Sequence, residues 1–210
     1  MKNNTRKWLA APYSVWAVGF IIIPLFVILY YAFTSEEGAL TLANFSYVLT
    51  KENLKALGLS LWLSFLSTVI CLVLAYPLAM ILTSRNVSQT SFIVLLFILP
   101  MWMNSLLRTL AWQTLLEKNG VINSILSFLH LPALNIINTP AAIVLGMVYN
   151  FLPFMVLPLY NILLKIDKDV INAARDLGAN SVQTFFQILL PLSMPGIVSG
   201  VTMVFIPALT

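Results

Sequence analysis

Of 210 residues, 60% are hydrophobic and only 9% charged, where a soluble domain carries about 25% charged residues, so a water-soluble globule is excluded and an integral membrane protein is indicated. The net charge of +4 reads as a topology bias and not as a nucleic-acid footprint, so no nucleic-acid partner is expected. One cysteine, Cys71, and one histidine, His130, exclude an intrachain disulfide and a Cys/His metal cluster.

A helix needs about 20 apolar residues to cross the bilayer core. Residues 13–33 form the first such run. Lys2, Arg6 and Lys7 precede it as in a signal peptide, but the run is too long for a signal core and no small-residue cleavage site follows. It is therefore expected to be a retained span. Residues 56–82 are the second run, with Cys71 as a small core or lipid-facing residue. The third run extends from 92 toward 116 and is interrupted by Pro100 and Arg108. Residues 121–134 are short and mixed, suiting an interfacial or half-buried helix, and His130 falls on a surface connection. The fourth span is 141–164, and the fifth begins near Pro195 and is still apolar at Thr210. The sequence is expected to stop inside that span, with at least one helix beyond it. The fold class is all-α, a polytopic transmembrane helix bundle forming one domain over 1–210.

Alternate sides of this layout collect different charges. Lys2, Arg6, Lys7, Arg85, Lys165, Lys168 and Arg175 share one side; Lys51, Lys55 and Lys118 share the other with Glu36, Glu37, Glu52 and Glu117. The positive-inside rule puts the N-terminus, and with it residues 165–191, in the cytoplasm. Every span contains proline, at Pro24, Pro77, Pro100, Pro153 with Pro158, and Pro207. Such helices suit a moving pathway, and they also occur in static bundles.

Between the fourth and fifth spans lies an amphipathic segment. Asp167 or Asp169 is placed to cap a helix. Val170, Ala173, Ala174 and Leu177 then follow at i, i+3, i+4 and i+7, one helical face. Gly178 stands where a left-handed C-cap is wanted. Asn180 or Ser181 starts a second helix with Val182, Phe185, Phe186 and Leu189 on one side, and Pro191 is expected to limit it. The first helix presents alanines, which let another backbone approach closely. An ordinary lipid-surface helix would carry several basic residues and bulky apolar ones instead. The expected arrangement packs the second helix on the membrane domain and leaves the first exposed to a partner.

Ala173-Ala174, Gly178 and Ile188-Leu189-Leu190-Pro191 resemble the cytoplasmic Glu-Ala-Ala loop of binding-protein-dependent ABC importer permeases. The spacing matches throughout; Asn172 stands where that family usually has glutamate. The stretches Pro100–Trp102, Arg108–Trp112 and Gly120–Asn123 resemble the spermidine/putrescine permease subgroup. The resemblance implies a permease of about six spans in the bacterial inner membrane. It also implies as partners a second permease subunit, an ATP-binding subunit and an external substrate-binding protein. The residues implied to couple to the ATPase are Asn172, Ala173, Ala174, Arg175, Asp176 and Gly178.

No Gly-x-x-x-x-Gly-Lys-Ser/Thr motif, carboxylate pair or nucleophile–base set occurs, so no catalysis and no cofactor is expected in this chain. Candidate pathway residues are Asn104, Arg108, Tyr149, Asn150 and Tyr160, with Asn161 a further polar group in an apolar run. Each lines a cavity or bonds a neighbouring helix, and Arg108 either faces water or snorkels to an interface. Trp102 and Trp112 are possible interface anchors, and Gly196-x-x-x-Gly200 permits close helix packing. Without an intramembrane carboxylate, a polyamine would meet a low-affinity passage, aided by aromatic faces. A permease for another small solute, a secondary transporter and a membrane scaffold are the alternatives. A secondary transporter would need buried ionisable groups or inverted repeats for ion coupling.

Overall fold

The computed structural model describes residues 12–35, 38–84, 99 and 101–209. Among these the regular structure is helical, apart from one isolated bridge between Thr34 and Leu40. Among the described residues four helices are long and apolar enough to cross a membrane. They are α1 (Pro12–Ala32), α3 (Lys51–Ser84), α6 (Pro140–Leu163) and α8 (Ser181–Leu209). Shorter helices are α2 (Ala43–Val48), α4 (Ser105–Leu116), α5 (Val121–Phe128) and α7 (Lys168–Asp176).

The chain divides into two compact units, Met1–Gly58 and Leu59–Thr210. In the first, α1 contains a π-helical turn, Val18–Ile22, and Ile23 N–H bonds Val18 O. Pro24 explains the turn. A proline lacks the N–H of the α ladder and its ring collides with the carbonyl four residues back. Opening one turn to i→i−5 bonding relieves that collision. At the far end of α1, Asn44 Nδ2 donates to the carbonyls of Tyr31, Ala32 and Thr34 at 3.0, 3.3 and 3.2 Å. It satisfies carbonyls that a helix end leaves without intrahelical partners.

In the second unit the core is built from α3, α6 and α8. Cys71, Ala75 and Ala79 of α3 meet Met155, Val156 and Leu159 of α6 and Val204 of α8, all nearly or fully buried. Cys71 is thus a core residue. Small residues dominate the α3 face because close backbone approach gives packing where lipid offers no hydrophobic driving force. Gly196 and Gly200 do the same for α8. A Cβ at Gly196 would collide with the Ile162 side chain, and one at Gly200 would lie 2.6 Å from Met155 Sδ. Hydroxyls tie the helices together: Ser64 donates to Ala208 O at 2.7 Å, and the Tyr76 and Ser193 hydroxyls are 2.7 Å apart.

The observed helices adjust the expected elements in two places. Of the third apolar run, 92–98 and 100 lie outside the described residues, and its remainder forms α4, which starts at Ser105 behind the Asn104 cap. The second amphipathic helix and the fifth span are not separate elements. One helix runs from Ser181 to Leu209, straight through Pro191 and Pro195. Pro191 fails to stop it for the reason seen at Pro24: a π turn, Phe185–Leu189, precedes it, and Leu190 N–H bonds Phe185 O.

Residues 121–134 contain α5 and a loop held by one buried side chain. Asn123 Nδ2 donates to Glu117 O and Leu134 O at 3.0 Å each, and its Oδ1 accepts from Leu134 N at 2.7 Å. His130 is exposed with φ +57°, the left-handed residue that closes the end of α5.

Candidate coupling corner and cavity

α7 begins and ends on signals written into its sequence. Asp167 is the N-cap, its carboxylate accepting from Asp169 N at 3.0 Å. At the other end Gly178 has φ +90°. Its N–H bonds Arg175 O at 2.9 Å, and Ala179 N–H bonds Ala174 O at 3.0 Å. These paired bonds are the Schellman C-cap, and the left-handed φ is why glycine stands there. Two residues later Asn180 opens α8 with a reciprocal capping box. Asn180 Oδ1 accepts from Gln183 N at 2.8 Å and Gln183 Oε1 from Asn180 N at 2.9 Å. The corner between α7 and α8 is therefore hydrogen-bonded on both sides.

The apolar face of α7 is left uncovered. Leu177 is 90% exposed and Val170 45%, and Ala173 is exposed beside them. Asn172, Arg175 and Asp176 are exposed as well, while Ala174 is half-buried. α8 instead packs inward: Phe185 sits edge-on to Tyr76 with ring centroids 5.2 Å apart. Of its expected inward face only part is covered, since Val182 and Phe186 stay exposed.

At the opposite end of α6, about 20 Å along the helix from Leu163, a cavity of about 590 Å³ opens between α4 and α6. Thr109, Trp112, Gln113, Thr139 and Asn150 are among its lining residues. The Asn150 Oδ1 atom is buried and has no hydrogen-bond partner among the described residues. Arg108, on α4, likewise has a buried Nε with no partner among the described residues. A buried polar atom without a partner costs about 1–3 kcal/mol, which makes these two groups expensive to keep. Tyr149 stacks edge-on to Trp112 at 5.2 Å, so Trp112 packs on a helix and is not a free-standing anchor, whereas Trp102 is 81% exposed.

Of the expected pathway residues Asn150 lines this cavity, whereas Asn104, Arg108, Tyr149 and Tyr160 are not among its lining residues. Asn104 is exposed and caps α4, accepting from Leu106 N at 2.8 Å. Tyr160, half-buried, packs against the hydrophobic core, and Asn161 is exposed. The cavity's Gln113 and Thr139 were not foreseen, although both are polar residues beside apolar runs.

The family described as binding-protein-dependent transport system inner membrane component matches residues 1–210. The spermidine/putrescine transport system permease protein PotB of Haemophilus influenzae is 34% identical over 218 residues, covering 100% of this chain and 76% of that protein. PotB of Salmonella typhimurium is 38% identical over 219 residues, with the same two coverages. Among solved structures, a bacterial alginate ABC transporter in complex with an alginate pentasaccharide-bound periplasmic protein superposes with a TM-score of 0.73 at 18% identity. That match covers 93% of this chain and 70% of the other, and it bears on the fold alone. Full-length agreement with the family pattern, joined to membrane-spanning helices and to a helix–glycine–helix corner at the end of a span, places this chain in the family of binding-protein-dependent transport system inner membrane components.

Proposed function

We propose that this chain is the permease subunit of an ATP-driven importer of polyamines, spermidine and putrescine, working as one membrane domain over 1–210. The observation that carries this reading is the α7 corner, rigidly capped yet with its small and apolar face uncovered. A separate ATP-binding subunit, where nucleotide is hydrolysed, receives Asn172, Ala173, Ala174, Arg175, Asp176 and Gly178. A second permease subunit completes the pathway, and an external binding protein delivers the substrate. The polyamine assignment draws support from the relatives named for spermidine and putrescine.

The ends of α3 and α6 and the start of α8 lie on the same side as α7 in chain direction. Lys165, Lys168 and Arg175 on that side support a cytoplasmic corner, and hence a cytoplasmic N-terminus. The cavity with Asn150 and Trp112 then belongs to the outer half of the membrane. It suits a cation through an unpaired carbonyl oxygen and an aromatic face rather than through a carboxylate.

Uptake of labelled spermidine and putrescine by cells with and without the gene tests the substrate. ATP-dependent uptake that disappears on deletion supports the reading, and unchanged uptake removes the polyamine assignment. Ala173→Trp tests the coupling surface. Ala173 is exposed, so the indole leaves the permease folded and blocks close approach of a partner. Uptake should fall at least about tenfold, the equivalent of about 1.4 kcal/mol in contact with the partner, with membrane levels unchanged. Unaltered uptake would sink the docking role of α7.

A further inference from the structure

α8 is built as two firm parts joined by a weak stretch. From Gly196 onward it is fixed on its neighbours. Gly196, Gly200, Val204 and Ala208 recur every fourth residue and are all buried. A Cβ at Gly196 or Gly200 would collide with Ile162 or Met155 of α6, and Ser64 of α3 donates to Ala208 O at 2.7 Å. At the other end, the capping box at Asn180 and the paired bonds around Gly178 make α7 and the start of α8 one hydrogen-bonded corner.

Residues 185–195 connect these parts with a depleted ladder. The π turn Phe185–Leu189 shifts its bonding to i→i−5. Pro191 and Pro195 then each lack the N–H that a ladder bond needs. Proline and π turns are the places where helices bend. Within this stretch only Ser193 is buried, so side packing does little to hold it straight. Beside it lies a cavity of about 340 Å³ between α3 and α8, with Tyr76, Met80, Phe185, Leu190 and Ile197 among its lining residues. A close-packed interior would resist bending; here the chain has space to move into.

One side chain grips both ends of the stretch. Tyr76 of α3 is 6% exposed. Its ring lies edge-on to Phe185 at 5.2 Å, and its hydroxyl is 2.7 Å from Ser193 Oγ. Ser193 Oγ donates its proton to Leu190 O at 3.0 Å, so the Tyr76 hydroxyl is the donor of that pair.

We propose that residues 185–195 are a hinge and that Tyr76 is its latch. The corner of α7 and the start of α8 swings as a unit, while α8 beyond Gly196 stays on α6. The use of the hinge in transport rests on the docking role proposed for α7; its existence does not.

Pulsed electron paramagnetic resonance distances in the assembled, reconstituted transporter test this, with Leu145 of α6 as the reference. Leu145, Val182 and Met203 are exposed and accept labels, whereas Cys71 is fully buried and stays unlabelled. Without nucleotide, Tyr76→Phe keeps the ring and removes the hydroxyl. It should broaden the Leu145→Cys/Val182→Cys distance distribution about twofold and leave that of Leu145→Cys/Met203→Cys unchanged. Pro191→Ala restores a ladder donor and should narrow the first distribution, the opposite of what a loosened bundle would do. Equal broadening of both pairs in Tyr76→Phe would overturn the hinge, and so would no change in either. On adding ATP, the mean of the first pair should shift by about 2 Å or more while the second stays fixed. A first pair that responds to Tyr76→Phe but not to ATP would keep the hinge and overturn the docking of α7.

Discussion

Asn123 and Asn150 are the same residue type in opposite circumstances. Asn123 is 5% exposed and its amide makes three hydrogen bonds that tie the loop after α4 to the segment before α6. Asn123→Ala leaves Glu117 O, Leu134 O and Leu134 N without this partner. It should destabilise the chain by about 2–3 kcal/mol, read as a lower thermal midpoint in detergent. Asn150 has a buried oxygen that bonds nothing among the described residues. Asn150→Leu should therefore raise the thermal midpoint and at the same time lower polyamine uptake. A rise in stability with unaltered uptake would remove Asn150 from the pathway. Asn150 was visible as a polar group in an apolar run and Asn123 only as the end of the Gly120–Asn123 stretch, and the difference in their surroundings was not visible. It depends on which carbonyls a loop brings near, and sequence spacing does not report that.

Among the elements, caps were readable and proline was misleading. Asp167, Gly178 and Asn180 act within three or four residues of themselves, so their roles follow from local order in the sequence. Pro191 also acts locally, yet two outcomes compete there. The chain can break, or it can absorb the ring with a π turn, and the packing of Phe185 on Tyr76 favours the second. That packing joins positions far apart in sequence, which is why it was not legible. Gly178→Ala tests the cap. A side chain at φ +90° costs about 1–2 kcal/mol and loosens the end of α7. Binding-protein stimulation of ATP hydrolysis in the assembled transporter should drop, while the span helices keep their circular dichroism. Full stimulation in Gly178→Ala would show that the corner's geometry is not needed for coupling.

At the scale of the whole molecule, most of the second unit's packing was foreseeable as a class and little of it as particular contacts. Gly196-x-x-x-Gly200 announced a close helix approach, and α6 is the helix that approaches. The long-range pair of Tyr76 and Ser193 had no sequence signal at all. Gly196→Leu puts a branched side chain where even a Cβ meets Ile162. The expected result is loss of folded protein from the membrane fraction, with Gly19→Leu, where nothing lies within 4 Å, retained at normal levels as the control. Equal levels of the two variants would show that α6 and α8 do not depend on this contact.

The doubly capped corner between α7 and α8 has a consequence for how quickly a transport cycle can turn. A docking element that is disordered when free loses conformational entropy at each encounter and is slow to seat. Here Asp167, Gly178, Asn180 and Gln183 have already ordered the backbone. Under the docking proposed above, a partner groove would meet a backbone already ordered, and little of the binding free energy would be spent on ordering it. Contacts of that kind form at rates set by collision and orientation and let go without unfolding. That would suit the coupling joint proposed for this corner.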